Sequence, residues 1–417
     1  MTRPAEDLRL VLYVGTHHLG GLLAEIQAGN ARVLRSAEIP HAEGFQKGGV
    51  AQLERTLASF DELIGLLQLG DEVHEIPASV VLSTPLLRMG RYSSSIYYSG
   101  YPRTLTPKDV SQVIEQTRSV APLPLDQWIL HAEPESFWVN DLTGVQDPVG
   151  MEAQRLAVTL QIYSVEYVYF RNLSRVFESM ELDLTGLFPK TLFLPEGVLT
   201  PAEREGEALI LDFSDGATHL VLTREGRIAE IRSLALGSRF LTQRIVETWQ
   251  VGWRDAERLK ERFGSLEEKP PHEGELIPLV EREGRTKEHN HQIKRADFHA
   301  AFVGFGSELL DRLVHDVKEF LAGSRLAAPR FVLTGGGARL EGLLEFLSAR
   351  LAAPVRLGIP RAIEGIPPQA LNDPSWAAPL GAVRLAAAAK VPGTPSAGEN
   401  LLEKALVQAR GWLAAYF

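Results

Sequence analysis

The sequence predicts an α/β protein of two similar lobes, with a smaller α+β unit set into the first. Three observations predict it. A meander of short strands occurs near residue 10 and again near residue 210, a weak internal repeat with one meander per half. Segments of helical period follow each meander and lead to further short strands, the alternation of an α/β chain. Between the halves the texture changes: Tyr92, Tyr97, Tyr98 and Tyr101 cluster with serines, and residues 85–164 read as an insertion of about 80 residues, within the usual domain range.

The elements follow in order. Residues 8–14 are apolar and end in Gly15-Thr16; 19–26 and 31–39 follow, with a second break at Gly29-Asn30. Leu53, Leu57, Phe60, Leu63, Ile64 and Leu67 place a helix within 52–69, and 78–82 is another strand. Thr106 reads as an N-cap with Pro107 at the first helical position, and that helix stops before Pro122. Residues 128–131, 136–139 and 155–163 read as strands and 166–180 as a helix. The second meander is 208–213, 219–223 and 228–233, with Glu225-Gly226 as a hairpin turn. Residues 240–263 and 302–321 are helical by spacing, and 267–294 is a polar excursion. A strand at 330–334 ends in Gly335-Gly336-Gly337; a helix at 340–351 and a strand at 355–357 come next. Residues 391–400 read as a linker and 401–417 as a final helix. The expected division is 8–84 with 165–205 for the first lobe, 85–164 for the insertion, and 206–390 for the second lobe, with about 240–328 as its outer part.

Composition narrows the function classes. The 417 residues are 45% hydrophobic and 23% charged, enough for large cores. With 43 basic and 53 acidic residues the net charge is −10, which argues against general nucleic-acid binding. The absence of cysteine excludes disulfides, thiolate metal sites and cysteine nucleophiles. No secretory leader and no membrane-spanning run is expected, so the chain reads as cytosolic. No metal site is expected: adjacent His17 and His18 diverge, and His289-Asn290-His291 lies in the polar excursion. The tyrosine–serine cluster reads as an exposed strand or a protein contact.

Three turns carry small residues after a buried strand: Gly15-Thr16, Asp212 to Gly216, and Gly335 to Gly337. Such turns let backbone N–H groups approach phosphate oxygens. The arrangement resembles the actin/Hsp70/sugar-kinase superfamily. It narrows on His131-Ala132-Glu133-Pro134 and Asp147-Pro148-Val149-Gly150-Met151, which resemble the inserted subdomain of the bacterial cell-division family FtsA. The stretch from Gly44 to Gly49, the Ala256 to Lys260 segment, the run from Val332 to Leu343, and Asp373-Pro374-Ser375-Trp376 keep that family's order.

The resemblance implies a two-lobed actin-like (ribonuclease H-like) fold and a cleft for ATP or ADP with Mg. It also implies self-assembly, binding of the C-terminal peptide of tubulin-like FtsZ, contact with other divisome membrane proteins, and a C-terminal membrane-targeting helix. The implied nucleotide contacts are Gly15, Thr16, His17, Gly216, Gly237, Glu257, Lys260, Gly335, Gly336, Gly337 and Arg339, with Asp212 as the remaining catalytic acid. Two departures bear on chemistry. Tyr13 stands where the family has an Asp that would order the metal's water. The second turn reads Asp212-Phe213-Ser214-Asp215-Gly216-Ala217, with two glycines lost and a carboxylate where phosphate belongs. Weak or absent hydrolysis is the expectation.

Leu401, Leu402, Ala405, Leu406, Ala409, Trp412, Leu413, Tyr416 and Phe417 fall on one helical face. At 1.5 Å per residue the segment is about 25 Å long, fit to lie in a membrane interface. Glu399, Glu403, Lys404 and Arg410 cancel in charge, leaving apolar burial as the main attraction. The reading is a peripheral tether at the cytoplasmic face of the division site. Its alternatives are a peptide-binding scaffold of type IV pilus assembly and a metabolite kinase of the same superfold.

Overall fold

The computed structural model describes residues 7–389, apart from 17, 28, 41, 47, 269–273, 280–291 and 325–328. The expected linker 391–400, the terminal helix 401–417, His17 and the His289–His291 pair lie outside the described residues.

Two five-stranded sheets share one topology. In the first the spatial order is Leu184–Pro189, Ala78–Leu82, Leu8–Val14, Leu19–Gln27, Asn30–Ile39; in the second it is Val355–Leu357, Arg330–Thr334, Glu207–Phe213, Thr218–Arg224, Arg227–Leu234. In each, the first meander strand pairs antiparallel with the second and parallel with a strand that returns later in the chain. The repeat that is faint in sequence is therefore a duplicated fold, the two-lobed actin-like arrangement.

Both central strands are buried on both faces, which explains their unbroken apolar runs. Side chains alternate between faces with period two. Leu10, Leu12 and Val14 turn to the first lobe's own core, with Phe60 and Leu63 of helix Leu53–Leu67. Leu209, Leu211 and Phe213 turn to the second lobe's core, with Phe298 and Phe302 of the 30-residue helix Arg295–Ser324. The opposite faces, Val11 and Tyr13 on one strand and Ala208 and Ile210 on the other, share a third core between the lobes. That core is filled by Leu194 and Val198 and by Leu380 and Val383 of helix Ala377–Ala389. The same alternation aims Tyr13 and Asp212 into the interlobe layer at the ends of their strands.

The insertion is a four-stranded antiparallel sheet, ordered Leu142–Val145, Gln127–Val139, Arg155–Glu166, Arg88–Tyr97, with helix Pro107–Val120 on one face. Val110 and Val113 pack on Leu156, Val158 and Leu160. Asp109 holds the helix start: its carboxylate accepts from the Thr106 N–H at 2.9 Å and the Thr106 hydroxyl at 2.6 Å. The tyrosine–serine cluster falls on the edge strand Arg88–Tyr97 and beyond it, with Tyr97 and Tyr101 exposed.

Several sequence boundaries move. The two strands read at 128–131 and 136–139 are one strand, Gln127–Val139, whose register shifts between Ser136 and Pro134. The bulge accommodates the proline, which has no N–H for the ladder. The single helix read over 240–263 is two, Arg239–Trp249 and Trp253–Phe263. Gln250 ends the first at φ 54, its N–H donating to the Val246 carbonyl at 2.9 Å. The helix read from 340 starts at Leu343, because Gly342 takes φ +77. Within the polar excursion, Leu276–Pro278 pairs with Gln292–Lys294.

One bidentate ion pair fastens the segment that crosses between lobes. Glu203 sits in the short helix Pro201–Arg204 and takes both Arg356 Nε and Arg356 Nη2 at 2.6 Å, while the Thr200 N–H donates to it at 2.8 Å. Burial alone would raise its pKa, but Arg356 and Thr200 bring it from 4.5 down to about 2. A depressed carboxyl contributes its stability above the unfolded value and loses it as the pH falls through the folded one. Urea midpoints of the native protein should therefore fall between about pH 4.5 and pH 2, and Glu203→Gln should be less stable at pH 7 with a flatter acid limb.

Candidate functional site

The two lobes meet at their first strand ends, and the turns after those strands touch. Gly15 N–H donates to the His18 carbonyl at 2.8 Å, closing the first turn. Ser214 N–H donates to the Ala217 carbonyl at 3.0 Å, closing the second. Thr16 lies directly on Gly216: a Cβ there would stand 2.6 Å from Thr16 Oγ1. Only glycine permits this approach. Thr16 and Gly216, both expected to cradle phosphate, instead pack against each other.

Beneath this contact lies a buried cation. Lys190 opens the turn Lys190–Leu192 after the edge strand of the first sheet. Its Nζ is 2.6 Å from Asp212 Oδ2, with the two side chains 3% and 1% exposed. The ammonium also donates to Ser214 Oγ at 2.9 Å and reaches the Tyr13 hydroxyl at 3.4 Å. Burial opposes the charged lysine; Asp212, then Tyr13, outweigh it, and its pKa stands above the ordinary lysine value. The His18 ring meets Tyr13 edge-on at 5.7 Å. His219, opposite Asp212 in the ladder, is pushed down to about 4 by burial, so it is neutral near pH 7, with Nδ1 2.9 Å from Ser233 Oγ.

The second turn is tied down by the helix behind it. The Ser238 and Arg239 N–H groups donate to the carbonyls of Ser214 and Asp215 at 3.0 and 2.9 Å. These are the donors a helix N-terminus would otherwise offer an anion. Gly237 lets the turn come close: a Cβ there would stand 2.3 Å from the Asp215 carbonyl oxygen. The Asp215 carboxylate lies 3.8 Å from Arg239 and 4.0 Å from Lys260. Lys260 in turn pairs with Glu257 at 2.7 Å, and Thr242 donates to Glu257 at 2.7 Å.

The third turn closes the site. Gly335 takes φ +89, and a Cβ there would stand 2.4 Å from Asp212 Oδ1; Gly337 lies against the Phe213 ring. Gly336 has only the Ser375 side chain near it. Arg339 makes a bidentate pair with Asp373 and donates to Ser375 Oγ at 2.9 Å. Across the opening His18 approaches Glu38 at 3.7 Å, and burial raises the Glu38 carboxyl, opposed by Arg339.

Most of the expected residues thus converge on one cleft. Lys190, Ser214, Arg239 and His219 were not among them. Lys190 had a readable signal, being the one charge in Leu187-Phe188-Pro189-Lys190-Thr191-Leu192-Phe193-Leu194. These residues do not fit a magnesium-bound triphosphate. Tyr13 supplies no carboxylate, Asp212 is spent on an internal ammonium, and Asp215 occupies the cations beside the turn. Removing one partner of a buried pair strands the other charge, a loss of roughly 3–5 kcal/mol, whereas replacing both is far milder. Lys190→Ala should therefore lower the chemical-denaturation stability by about that amount, and Lys190→Met with Asp212→Asn should lose much less than the two single variants combined.

Comparison with known proteins places this cleft in a family. The family model "Cell division protein FtsA" matches residues 209–381, and "SHS2 domain inserted in FTSA" matches residues 91–164. FtsA of Pseudomonas aeruginosa is 24% identical over 365 residues, covering 85% of this chain and 84% of the relative. FtsA of Borreliella burgdorferi is 24% identical over 386 residues, covering 91% of each. FtsA of Bacillus subtilis is 21% identical over 380 residues, 91% of this chain and 83% of the relative. Among solved structures, a chain of the PilM-PilN type IV pilus biogenesis complex superposes with a TM-score of 0.64 at 17% identity, covering 92% of this chain and 99% of that one, a likeness of fold. With both family models in their proper order along an actin-like fold, the chain belongs to the FtsA family of cell-division proteins.

Proposed function

We propose that this chain serves cell division as a scaffold and not as an ATPase. In this reading its body assembles with further copies and with divisome membrane proteins, and it takes the C-terminal peptide of FtsZ. Residues 401–417 hold it to the cytoplasmic face of the membrane. The observation that carries the scaffold reading is the 2.6 Å Lys190–Asp212 pair. A catalytic carboxylate must be free to order a metal or a water, and this one is neutralised between the lobes. A nucleotide bound here would rest on Glu257, Lys260 and the Gly335 to Gly337 turn, without a hydrolytic step.

Pure protein with Mg²⁺ and ATP should release no phosphate above a protein-free blank, and Asp212→Ala should leave that baseline unchanged; turnover that Asp212→Ala abolishes would sink the reading. Co-sedimentation with liposomes should pellet the full chain and leave a version ending at Lys390 in the supernatant. Equal pelleting of both would refute the terminal helix as the anchor. An immobilised FtsZ C-terminal peptide should retain the protein. Failure to do so would favour the scaffold of type IV pilus assembly, whose solved complex shares this fold.

A further inference from the structure

We propose that the hinge between the lobes carries a binding site for a phosphate dianion, separate from the nucleotide cleft. Three arginines converge there on one carboxylate. Glu196 Oε1 takes Arg384 Nε at 3.1 Å and Arg361 Nη1 at 3.4 Å, and Glu196 Oε2 pairs with Arg204 Nη1. The four side chains are only 17–27% exposed. The neighbouring Glu203 brings no relief, because Arg356 already holds it in a bidentate pair. Three guanidinium groups against one carboxylate leave a local charge of two positive units in a half-enclosed site. Nearby like charges and poor solvation disfavour the charged form, and Arg361 shows this: burial, then Arg384 and Arg204, lower its pKa.

The donors are also in excess. Arg204 Nε and Nη2 are buried without a hydrogen-bond partner among the described residues. Arg384 Nη1 spends one donor on the Ala362 carbonyl at 3.2 Å. Buried guanidinium donors are normally matched, and their planar forks suit the tetrahedral oxygens of phosphate. A dianion matches both the charge and the unmatched donors, where a single carboxylate would leave half the charge unbalanced.

The position gives the site a consequence. Glu196 and Arg204 lie on the first crossing of the chain between lobes, just before strand Glu207–Phe213. Arg384 lies on the interlobe helix Ala377–Ala389, and Arg361 follows the second sheet's edge strand, its own N–H donating to the Gly197 carbonyl at 2.9 Å. An anion here ties both crossings to the second lobe and stiffens the hinge.

The test is thermal unfolding of the full chain in inorganic phosphate against chloride at matched ionic strength. Phosphate should raise the midpoint saturably. Glu196→Gln removes the competing carboxylate and should lower the half-saturating phosphate concentration by about tenfold. Arg361→Gln relieves the crowding and should unfold no earlier than the native chain in chloride, yet lose the phosphate increment. A merely structural arginine cluster gives the opposite: Arg361→Gln unfolds earlier in chloride and keeps whatever phosphate does. A second arm locates the source. If Arg361→Gln pellets less than the native chain with phosphatidic acid vesicles, the dianion is a lipid headgroup; if pelleting is unchanged while the phosphate increment is lost, it is a soluble phosphate. An equal phosphate response in native, Glu196→Gln and Arg361→Gln chains overturns the proposal.

Discussion

Two strands, one from each half of the chain, deliver Tyr13 and Asp212 to the same buried layer, and the interior there cannot tolerate an uncompensated carboxylate. Lys190 supplies the compensating charge. Its ammonium is held at 2.6 Å by Asp212, with Ser214 and Tyr13 completing the contact. Because Lys190 and Tyr13 belong to the first lobe and Asp212 and Ser214 to the second, the pair joins the lobes from within. The closeness of Thr16 to Gly216 and of Gly335 to Asp212 follows from that closure.

The cleft reads as one in which both halves of a metal–phosphate group have internal substitutes. Lys190 stands as the cation on Asp212. Asp215 stands as the anion, between Arg239 and Lys260, and the carbonyls of Ser214 and Asp215 take the helix N–H groups at Ser238 and Arg239. Each contact satisfies a charge or a donor from within the chain, so the body keeps a closed cleft through its own side chains and backbone.

The distribution of charge elsewhere is uneven in an instructive way. At the interlobe cleft cations and anions are matched nearly one for one. At the hinge, a short distance along the chain, three arginines share Glu196. Lys190 of the cleft and Glu196 of the hinge lie on adjacent short helical turns, Lys190–Leu192 and Leu194–Val198, so whatever satisfies the hinge also bears on how Lys190 is held.

The sequence by itself determined the two meanders, the inserted unit, the capping of the Pro107–Val120 helix by Thr106, and the order of the glycine turns. These are local matters: strand alternation, helix periodicity and turn chemistry are written in neighbouring residues. Through the family resemblance it also marked Tyr13 and Asp215 as departures from that family's phosphate turns. It did not show what those departures accomplish. Lys190 and Asp212 are 22 positions apart in sequence, and nothing local links them. Their meeting depends on the register of two sheets and on which face of each strand turns toward the interlobe core. The pairing that carries Pro134 through a continuous strand on a bulge, and the convergence of Arg204, Arg361 and Arg384 on Glu196, were likewise settled in space. Each is a contact between segments brought together only by packing, and the tertiary structure alone decided it.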